Sequence, residues 1–197
     1  VMRKVRPDII LSFGGFAAVP VVFAGWLRRI PIVIHEQVAG AGLANKVSGV
    51  FATQIAIARP ESFTFFPRAK TKLVGNPLTQ KILLVKRKMK VPTTPVIYVT
   101  GGSRGAQRLN NLIFDSLPLL TQSFHVIHQT GALDKQTAEQ KKKALPPELQ
   151  ERYEVHDFIS PLDVSKMYTQ ADIVVGRSGA NTVSEVVTIG IPTIFIP

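Results

Sequence analysis

Short apolar runs alternate with longer amphipathic stretches along this chain of 197 residues. Runs rich in Val and Ile are typical of buried strands, and apolar positions that recur every three to four residues are typical of helices. The first half predicts strands at 8–13, 31–35, 54–58 and 71–74, and helices at 17–29 and 43–51. The second half predicts strands at 96–100, 125–129, 153–158, 172–176 and 192–196, and helices at 104–117, 134–145, 162–170 and 181–189.

Strands that are joined by helical crossovers pair in parallel, so the pattern predicts an α/β protein with two Rossmann-like βαβ domains and a cleft between them. The stretch Lys81–Lys90, with five basic residues and no acid, and the Pro-Thr-Thr-Pro run after it predict a linker. The domains are therefore placed at 1–79 and 96–197, with the linker at 80–95. One apolar stripe should face the sheet from the helix at 104–117; it comprises Leu109, Leu112, Ile113, Leu117 and Leu120.

Two strands of the second half lead directly into small residues before a helix. The strand at 96–100 runs into Gly-Gly-Ser-Arg-Gly-Ala at 101–106, and the strand at 172–176 into Arg-Ser-Gly-Ala-Asn-Thr at 177–182. Free N–H groups at helix N-termini hold phosphate, and ligands of open α/β sheets bind at the carboxyl ends of the strands. Two such turns predict a nucleotide that carries a diphosphate. The alternative is a pair of tight turns that bind nothing.

Two acidic motifs each leave two interpretations open. The segment 182–185, Thr-Val-Ser-Glu, fits a capping box in which Glu185 binds backbone N–H groups. At a ligand cleft the same carboxylate would instead accept hydrogen bonds from both hydroxyls of a ribose. His35 and Glu36 end a predicted strand, where they are either acid–base machinery or the anchor of the next loop.

The remaining histidines give no sign of a metal site. His125, His128 and His156 fall in predicted strands without the spacing of metal ligands, so core or surface roles are expected for them. The chain has no Asp-x-Asp motif, which is the usual mark of a metal-bridged sugar-nucleotide site. It also has no Cys, which excludes disulfides and thiolate nucleophiles.

Charge is distributed unevenly along the chain. Residues 1–95 hold 15 Lys and Arg against three acidic residues, whereas residues 96–197 hold nine against ten. The basic first half therefore predicts an anionic partner, either nucleic acid or an anionic membrane surface. Trp26, followed by Leu27, Arg28 and Arg29, fits a helix end at lipid headgroups, but equally a core Trp followed by solvated charges. No stretch predicts a transmembrane helix, because Gly and Pro interrupt the longest apolar run.

Taken together, six segments resemble the MurG family of glycosyltransferases, within glycosyltransferase family 28. They keep the family's order and spacing along nearly the whole chain. They are Gly14-Gly15-Phe16, the run from Ile30 to Gln37, the run from Gly42 to Lys46, Gly75-Asn76-Pro77, the turn from Gly101 to Ala106, and the run from Arg177 to Glu185.

The resemblance implies a GT-B fold and an inverting transfer of N-acetylglucosamine from UDP-N-acetylglucosamine to lipid I, which is undecaprenyl-diphosphate-linked muramoyl peptide. The product would be lipid II of peptidoglycan synthesis, made without metal or cofactor at the cytoplasmic face of the bacterial cell membrane. The enzyme would be a peripheral protein on an anionic membrane surface and would not bind nucleic acid. The close alternative is another GT-B enzyme, a glycolipid synthase or a UDP-N-acetylglucosamine epimerase; the alternative from a different class is a basic nucleic-acid-binding protein.

The resemblance also implies roles for individual residues. Ser103 would contact the diphosphate, with Gly101, Gly102 and Gly105 completing the phosphate loop. The backbone of Ile159 would face the uracil, and Glu185 would bind the ribose. The nucleotide sugar would be lined by Ala180, Asn181, Thr182, Val183, Ser184 and Glu185, and the acceptor side by Gly14, Gly15, Phe16 and His35.

The chain departs from the family at three positions. The family usually has Tyr at the position of Phe16, and often Asn at Val38 and Arg at Thr79. Its first glycine loop, with the His proposed as general base, would precede Val1, and its Gln-rich sugar loop would follow Pro197. The chain is therefore expected to be the central section of the enzyme, truncated at both ends, without a catalytic residue and inactive alone.

Overall fold

The structure, a computed structural model, describes residues 5–102 and 105–197. The chain forms two compact units, of which the first ends at Pro77 and the second runs from Leu78 to Pro197. Each unit has its own all-parallel sheet and its own apolar core. The predicted fold class, α/β with two parallel βαβ domains, is confirmed.

The first unit contains a four-stranded sheet in the order β1-β2-β3-β4. Its strands are β1 Ile10–Ser12, β2 Ile32–Glu36, β3 Gln54–Ile57 and β4 Thr71–Leu73. Its helices are α1 Ala18–Leu27 and α2 Leu43–Phe51, followed by 3-10 turns at Pro60–Phe65 and Arg68–Lys70.

Alternating isoleucines build the core of this first sheet. Ile32 and Ile34 of β2 are buried beside Ile55 and Ile57 of β3, since the two strands are in parallel register. Helix α1 packs closely on β1 because Gly25 has no side chain: a Cβ there would lie 2.2 Å from the Cδ1 atom of Ile10.

The second unit contains a five-stranded sheet in the order β7-β6-β5-β8-β9. Its strands are β5 Val96–Thr100, β6 His125–Gln129, β7 Tyr153–His156, β8 Ile173–Arg177 and β9 Thr193–Ile196. Its helices are α3 Gln80–Leu83, α4 Gln107–Ser123, α5 Lys135–Lys143, α6 Pro147–Gln150, α7 Val164–Gln170 and α8 Ala180–Ile189.

Both faces of the second sheet are covered, as a parallel sheet requires. Ile97 and Val99 belong to one core cluster and Tyr98 to the other, because successive side chains of β5 point to opposite faces. The predicted apolar stripe of α4 packs against the cluster that contains Ile97 and Val99. Leu112 is an exception, because it is 48% exposed, and its predicted place in the stripe was wrong. The predicted bounds of this helix were also wrong, since it begins at Gln107 and continues through Pro118 to Ser123.

The segment after Pro77 packs on the second unit. Ile82 of α3 is 1% exposed and belongs to the core cluster that contains Tyr98. The Nζ atom of Lys88 lies 3.1 Å from the Oδ2 atom of Asp172, which also accepts a hydrogen bond from the backbone N–H of Val96. Part of the segment predicted as a linker is thus attached to the sheet that it precedes.

The strand order reverses around β5, because the chain passes from β5 to β6 on one side and later returns to β8 on the other. Such a reversal leaves a crevice between β5 and β8, at the carboxyl ends of the two strands. Ligands of open α/β sheets bind in a crevice of this kind. The predicted glycine turns follow β5 and β8, so both lie at this crevice.

Candidate functional site

A cavity of about 310 Å³ opens at the carboxyl ends of β5 and β8. Both glycine turns contribute to its wall. The residues that line it are Gly101, Gly102, Arg177, Ser178, Gly179, Thr182, Ile196 and Pro197. The structure therefore brings together the two turns that the sequence marked as a diphosphate site.

The turn after β5 depends on glycine for steric reasons. A Cβ at Gly101 would lie 2.4 Å from the backbone N of Ala106, and one at Gly105 would lie 2.1 Å from the carbonyl oxygen of Thr130. Gly102 and Gly105 also have φ of 83° and 75°, which L side chains rarely adopt. Only glycine fits these three positions without backbone movement.

Some N–H groups of this turn are already in use. The N–H of Gly102 donates to the Oγ1 atom of Thr100 at 3.1 Å, and the N–H of Gly105 donates to the carbonyl oxygen of Gly102 at 3.0 Å. A phosphate in the cavity would therefore draw on other donors. Ser103, the predicted diphosphate ligand, lies outside the described residues, and its role stays a prediction.

The second turn leads into α8, whose N-cap is Gly179. The N–H groups of the first helical turn have no intrahelical acceptor, and the positive end of the helix dipole lies there. Thr182 lines the cavity, while the hydroxyl of Ser184 donates back to the carbonyl oxygen of Ala180 at 2.8 Å. The first turn of α8 thus offers backbone donors and a positive potential to an anion.

Glu185 does not form the predicted capping box. Since α8 begins at Ala180, Thr182 and Glu185 both lie inside the helix rather than at its start. The Oε2 atom of Glu185 accepts a hydrogen bond from the hydroxyl of Tyr168 at 2.8 Å. Burial raises the pKa of Glu185, and the Tyr168 hydrogen bond acts in the opposite direction. The capping interpretation is therefore wrong, and the ribose interpretation stays a prediction.

Ile159, predicted to face a uracil through its backbone, lies after β7. Its side chain is 7% exposed and belongs to the core cluster that contains Tyr98 and Tyr168. The neighbouring Phe158 is 53% exposed. Because the Ile159 side chain is held in the core, only its main chain is available to a base, which leaves the prediction untested.

Arg177 was missed as a candidate ligand, although its position in the sequence gave a signal. It ends β8, is exposed, and lines both the main cavity and an adjoining cavity of about 230 Å³ next to Arg108. Its backbone carbonyl oxygen accepts a hydrogen bond from the N–H of Gly179, whereas its guanidinium has no hydrogen-bond or ion-pair partner among the described residues. A cation directly at the end of a strand in an α/β sheet lies where anionic ligands bind.

In the first unit, the predicted acceptor-side residues lie around β1 and β2. Gly14 and Gly15 have φ of 94° and 88°, and Phe16 is 81% exposed. His35 is 5% exposed, and its Nε2 atom lies 3.0 Å from the carbonyl oxygen of Gly75. The Nδ1 atom of His35 is buried and has no partner among the described residues.

Glu36 anchors the loop that follows β2. Its Oε1 atom accepts a hydrogen bond from the N–H of Val38, and its Oε2 atom accepts one from the N–H of Gly42 and one from the Nδ2 atom of Asn45. The structure thus supports the loop-anchor interpretation for this carboxylate.

Helices α1 and α2 contribute an aromatic cluster of Phe23, Trp26 and Phe51, of which Phe23 is exposed and Phe51 is half-buried against the core of the first unit. The ring centroids of Trp26 and Phe51 are 5.2 Å apart, and those of Phe23 and Trp26 are 5.9 Å apart. Trp26 is nevertheless 48% exposed, so it is not a core residue. Arg28 and Arg29 follow at the end of α1 and are exposed.

The described residues contain no helix that is long and apolar enough to cross a membrane. They also contain no group of three or more His, Cys, Asp or Glu side chains that could hold a metal ion.

Sequence comparison assigns the family. A sequence model of the glycosyltransferase family 28 C-terminal domain matches residues 96–197, and one of the family's N-terminal domain matches residues 1–57. The chain belongs to glycosyltransferase family 28. The predicted resemblance is thereby confirmed.

Curated relatives agree with this assignment. The UDP-N-acetylglucosamine–N-acetylmuramyl-(pentapeptide) pyrophosphoryl-undecaprenol N-acetylglucosamine transferase of Citrifermentans bemidjiense is 39% identical over 202 residues. The enzyme of the same name from Geobacter sp. strain M21 is 38% identical. The alignments cover 100% of this chain but 55% and 53% of the two relatives, so the chain spans about half their length.

Solved structures confirm the GT-B type of fold. MurG of Acinetobacter baumannii superimposes with a TM-score of 0.67 at 30% identity, covering 100% of this chain and 54% of that one. A UDP-N-acetylglucosamine 2-epimerase of Neisseria meningitidis bound to UDP-N-acetylglucosamine has a TM-score of 0.72 at 14% identity, covering 98% and 60%. The second similarity is one of fold alone.

Proposed function

We propose that the protein that carries this chain transfers N-acetylglucosamine from UDP-N-acetylglucosamine to lipid I, an undecaprenyl-diphosphate-linked muramoyl peptide, giving lipid II. One observation carries the proposal: both glycine turns of the segment that matches the family line one cavity of about 310 Å³ at the carboxyl ends of β5 and β8. The names of the relatives at 38–39% identity supply the donor and the acceptor.

The donor would bind in the second unit. Its diphosphate would lie against the first turn of α8 and the guanidinium of Arg177, with Ser103 as a further ligand, and its ribose would lie on Glu185. When the glycosidic bond of the donor breaks, negative charge develops on the UDP leaving group. A fixed cation and a helix dipole at that position stabilise the departing diphosphate without any rearrangement during the reaction.

The acceptor would reach the first unit from a membrane. The exposed rings of Phe23 and Trp26 stack over the half-buried Phe51, and Arg28 and Arg29 follow in the chain. The surface thus combines apolar and cationic groups, as an anionic lipid surface requires. Residues 1–77 hold ten Lys and Arg against three acidic residues, and this net charge of +7 on the first unit adds a longer-range attraction. Peripheral attachment to the cytoplasmic face is part of this proposal, and Gly14, Gly15, Phe16 and His35 are its acceptor-side residues.

The test is a transfer assay with the complete gene product, radiolabelled UDP-N-acetylglucosamine and lipid I in detergent. The expected result is label in lipid II that depends on lipid I. Conversion of the donor to UDP-N-acetylmannosamine without any acceptor would instead identify an epimerase, and no reaction of either kind would overturn the proposal. Val187→Ala is a matched control for substitutions in α8, because Val187 is 66% exposed and does not line the cavity.

A further inference from the structure

Tyr168 is a buried side chain whose only hydrogen bond among the described residues is to Glu185. Its hydroxyl donates to the Oε2 atom of Glu185 at 2.8 Å, and the residue is 3% exposed. Its ring packs edge-on against Tyr98, with centroids 5.6 Å apart and an interplanar angle of 83°. The hydroxyl can therefore not move away from Glu185 without disturbing the core.

The hydrogen bond restricts a side chain that would otherwise rotate. Glu185 is half-buried, and its Oε1 atom has no partner among the described residues. When one oxygen of a carboxylate is held by a hydrogen bond, the other oxygen and the unused lone pairs of both oxygens point in fixed directions. A fixed acceptor binds a diol better than a mobile one, since less conformational freedom is lost on binding.

The same hydrogen bond also affects the charge of Glu185. Burial raises the pKa of this carboxyl, and the hydroxyl of Tyr168 lowers it again. An ionised carboxylate is the stronger acceptor, because hydrogen bonds to charged groups are shorter and stronger than neutral ones.

We propose that Tyr168 is a positioning residue of the donor site, which orients the carboxylate of Glu185 toward the ribose hydroxyls and thereby sets the preference for a ribonucleotide. The inference rests on the proposed function, because it takes the ribose of a uridine diphosphate as the ligand of Glu185. The alternative is a purely structural tyrosine that only satisfies its own hydroxyl in the core.

The experiment compares UDP with 2′,3′-dideoxy-UDP, which lacks both ribose hydroxyls, in calorimetric titrations of the complete gene product. Tyr168→Phe removes the hydroxyl and keeps the ring. Tyr153→Phe is the matched control: Tyr153 is also fully buried, its hydroxyl lies 2.9 Å from the Nδ1 atom of His128, and it packs in the other core cluster.

We expect Tyr168→Phe to weaken UDP binding by about tenfold, since a hydrogen bond to a charged group is involved, and to change 2′,3′-dideoxy-UDP binding by less than about twofold. In a Glu185→Ala background the same substitution should have less than about a twofold effect on UDP. Tyr153→Phe should leave both affinities unchanged.

Two results would overturn the inference. If Tyr168→Phe weakened both nucleotides equally, its effect would be structural and unrelated to the ribose. If it affected neither, Glu185 would be positioned without it. Failure of the unchanged protein to bind UDP would be a different result, since it would overturn the proposed function and this inference with it.

Discussion

Mild acid should destabilise the second unit through one buried histidine. His128 of β6 is fully buried, with its Nε2 atom 3.0 Å from the Oδ1 atom of Asn110 and its Nδ1 atom 2.9 Å from the hydroxyl of Tyr153. The Nδ2 atom of Asn110 donates to Thr130 and Asp134, so its Oδ1 atom must accept. The Nε2 atom of His128 therefore carries the proton, and the Nδ1 atom accepts from Tyr153.

The magnitude follows from the difference in pKa between the folded and unfolded states. Burial lowers the pKa of His128 from its ordinary value of 6.5 to about 3. The stabilisation is thus fully present above pH 6.5 and is lost as the pH falls toward the folded value, because the unfolded chain binds the proton first. At pH 5 the free energy of unfolding should have fallen by about 2 kcal/mol, a figure that holds for any folded pKa below about 4.

The assay is denaturant unfolding of the chain between about pH 7.5 and pH 5, a range in which histidines titrate. All three tyrosines, Tyr98, Tyr153 and Tyr168, lie in the second unit, and the single Trp lies in the first. Tyrosine difference absorbance therefore reports on the second unit, and Trp26 fluorescence on the first. A His128→Gln variant removes the titrating group and should flatten the pH dependence of the tyrosine signal.

The comparison of the two proteins isolates His128. Glu185 has the opposite effect on the pH dependence: folding raises the pKa of its carboxyl, so its contribution to the free energy of unfolding increases as the pH falls. This contribution is the same in the unchanged chain and in His128→Gln, so it cancels in the comparison. Parallel stability curves for the unchanged chain and His128→Gln would refute the reasoning.

Three further predictions concern the proposed activity. Arg177→Ala should weaken UDP binding by roughly 1.5–3 kcal/mol in calorimetry, as expected for a charge-assisted hydrogen bond, and an unchanged affinity would exclude contact with the diphosphate. Transfer should persist in excess EDTA, because a cation and a helix dipole stabilise the leaving group; loss of activity that divalent ions restore would contradict this. The double substitution Arg28→Glu, Arg29→Glu should strongly reduce co-sedimentation with anionic vesicles, because each basic residue near such a surface contributes about 1 kcal/mol. Binding of the unchanged protein should also weaken as the salt concentration rises. Equal binding to neutral vesicles would contradict the membrane assignment.

The strands could be predicted from the sequence because most of them contain a short run rich in Val and Ile. Val96–Thr100 and His125–Gln129 match their predicted bounds residue for residue. The helix after β5 was harder, because local rules end a helix before Pro118. Packing overrides that rule here, since Leu117 is buried and Leu120 packs against the same core, which continues the helix to Ser123.

The candidate site was predictable only where backbone geometry determines it. A Cβ at position 101 would collide with a backbone nitrogen, and one at position 105 with a backbone carbonyl oxygen. The glycines at 102 and 105 are also required by their positive φ. A strand–turn–helix pattern implies all of these constraints. The partner of Glu185 was not predictable, because Tyr168 lies 17 residues away on α7 and no local spacing connects them. The capping-box interpretation, one of the two that the sequence left open, fails for a different reason: it makes Thr182 the N-cap, whereas the N-cap of α8 is Gly179.

The position at which α8 begins determines what Glu185 contacts. The Glu of a capping box accepts a hydrogen bond from the backbone N–H of the N-cap residue, so its carboxylate is directed back at the start of its own helix. Because α8 begins three residues earlier, Glu185 lies in the second helical turn, where one oxygen is held by Tyr168 and the other is unpaired among the described residues. The position of the helix start thus decides whether this carboxylate is hydrogen-bonded to the backbone of its own helix or to the side chain of Tyr168 on α7. Loss of UDP affinity in Glu185→Ala, measured on protein that remains folded, is the result that would establish a binding role for the unpaired oxygen.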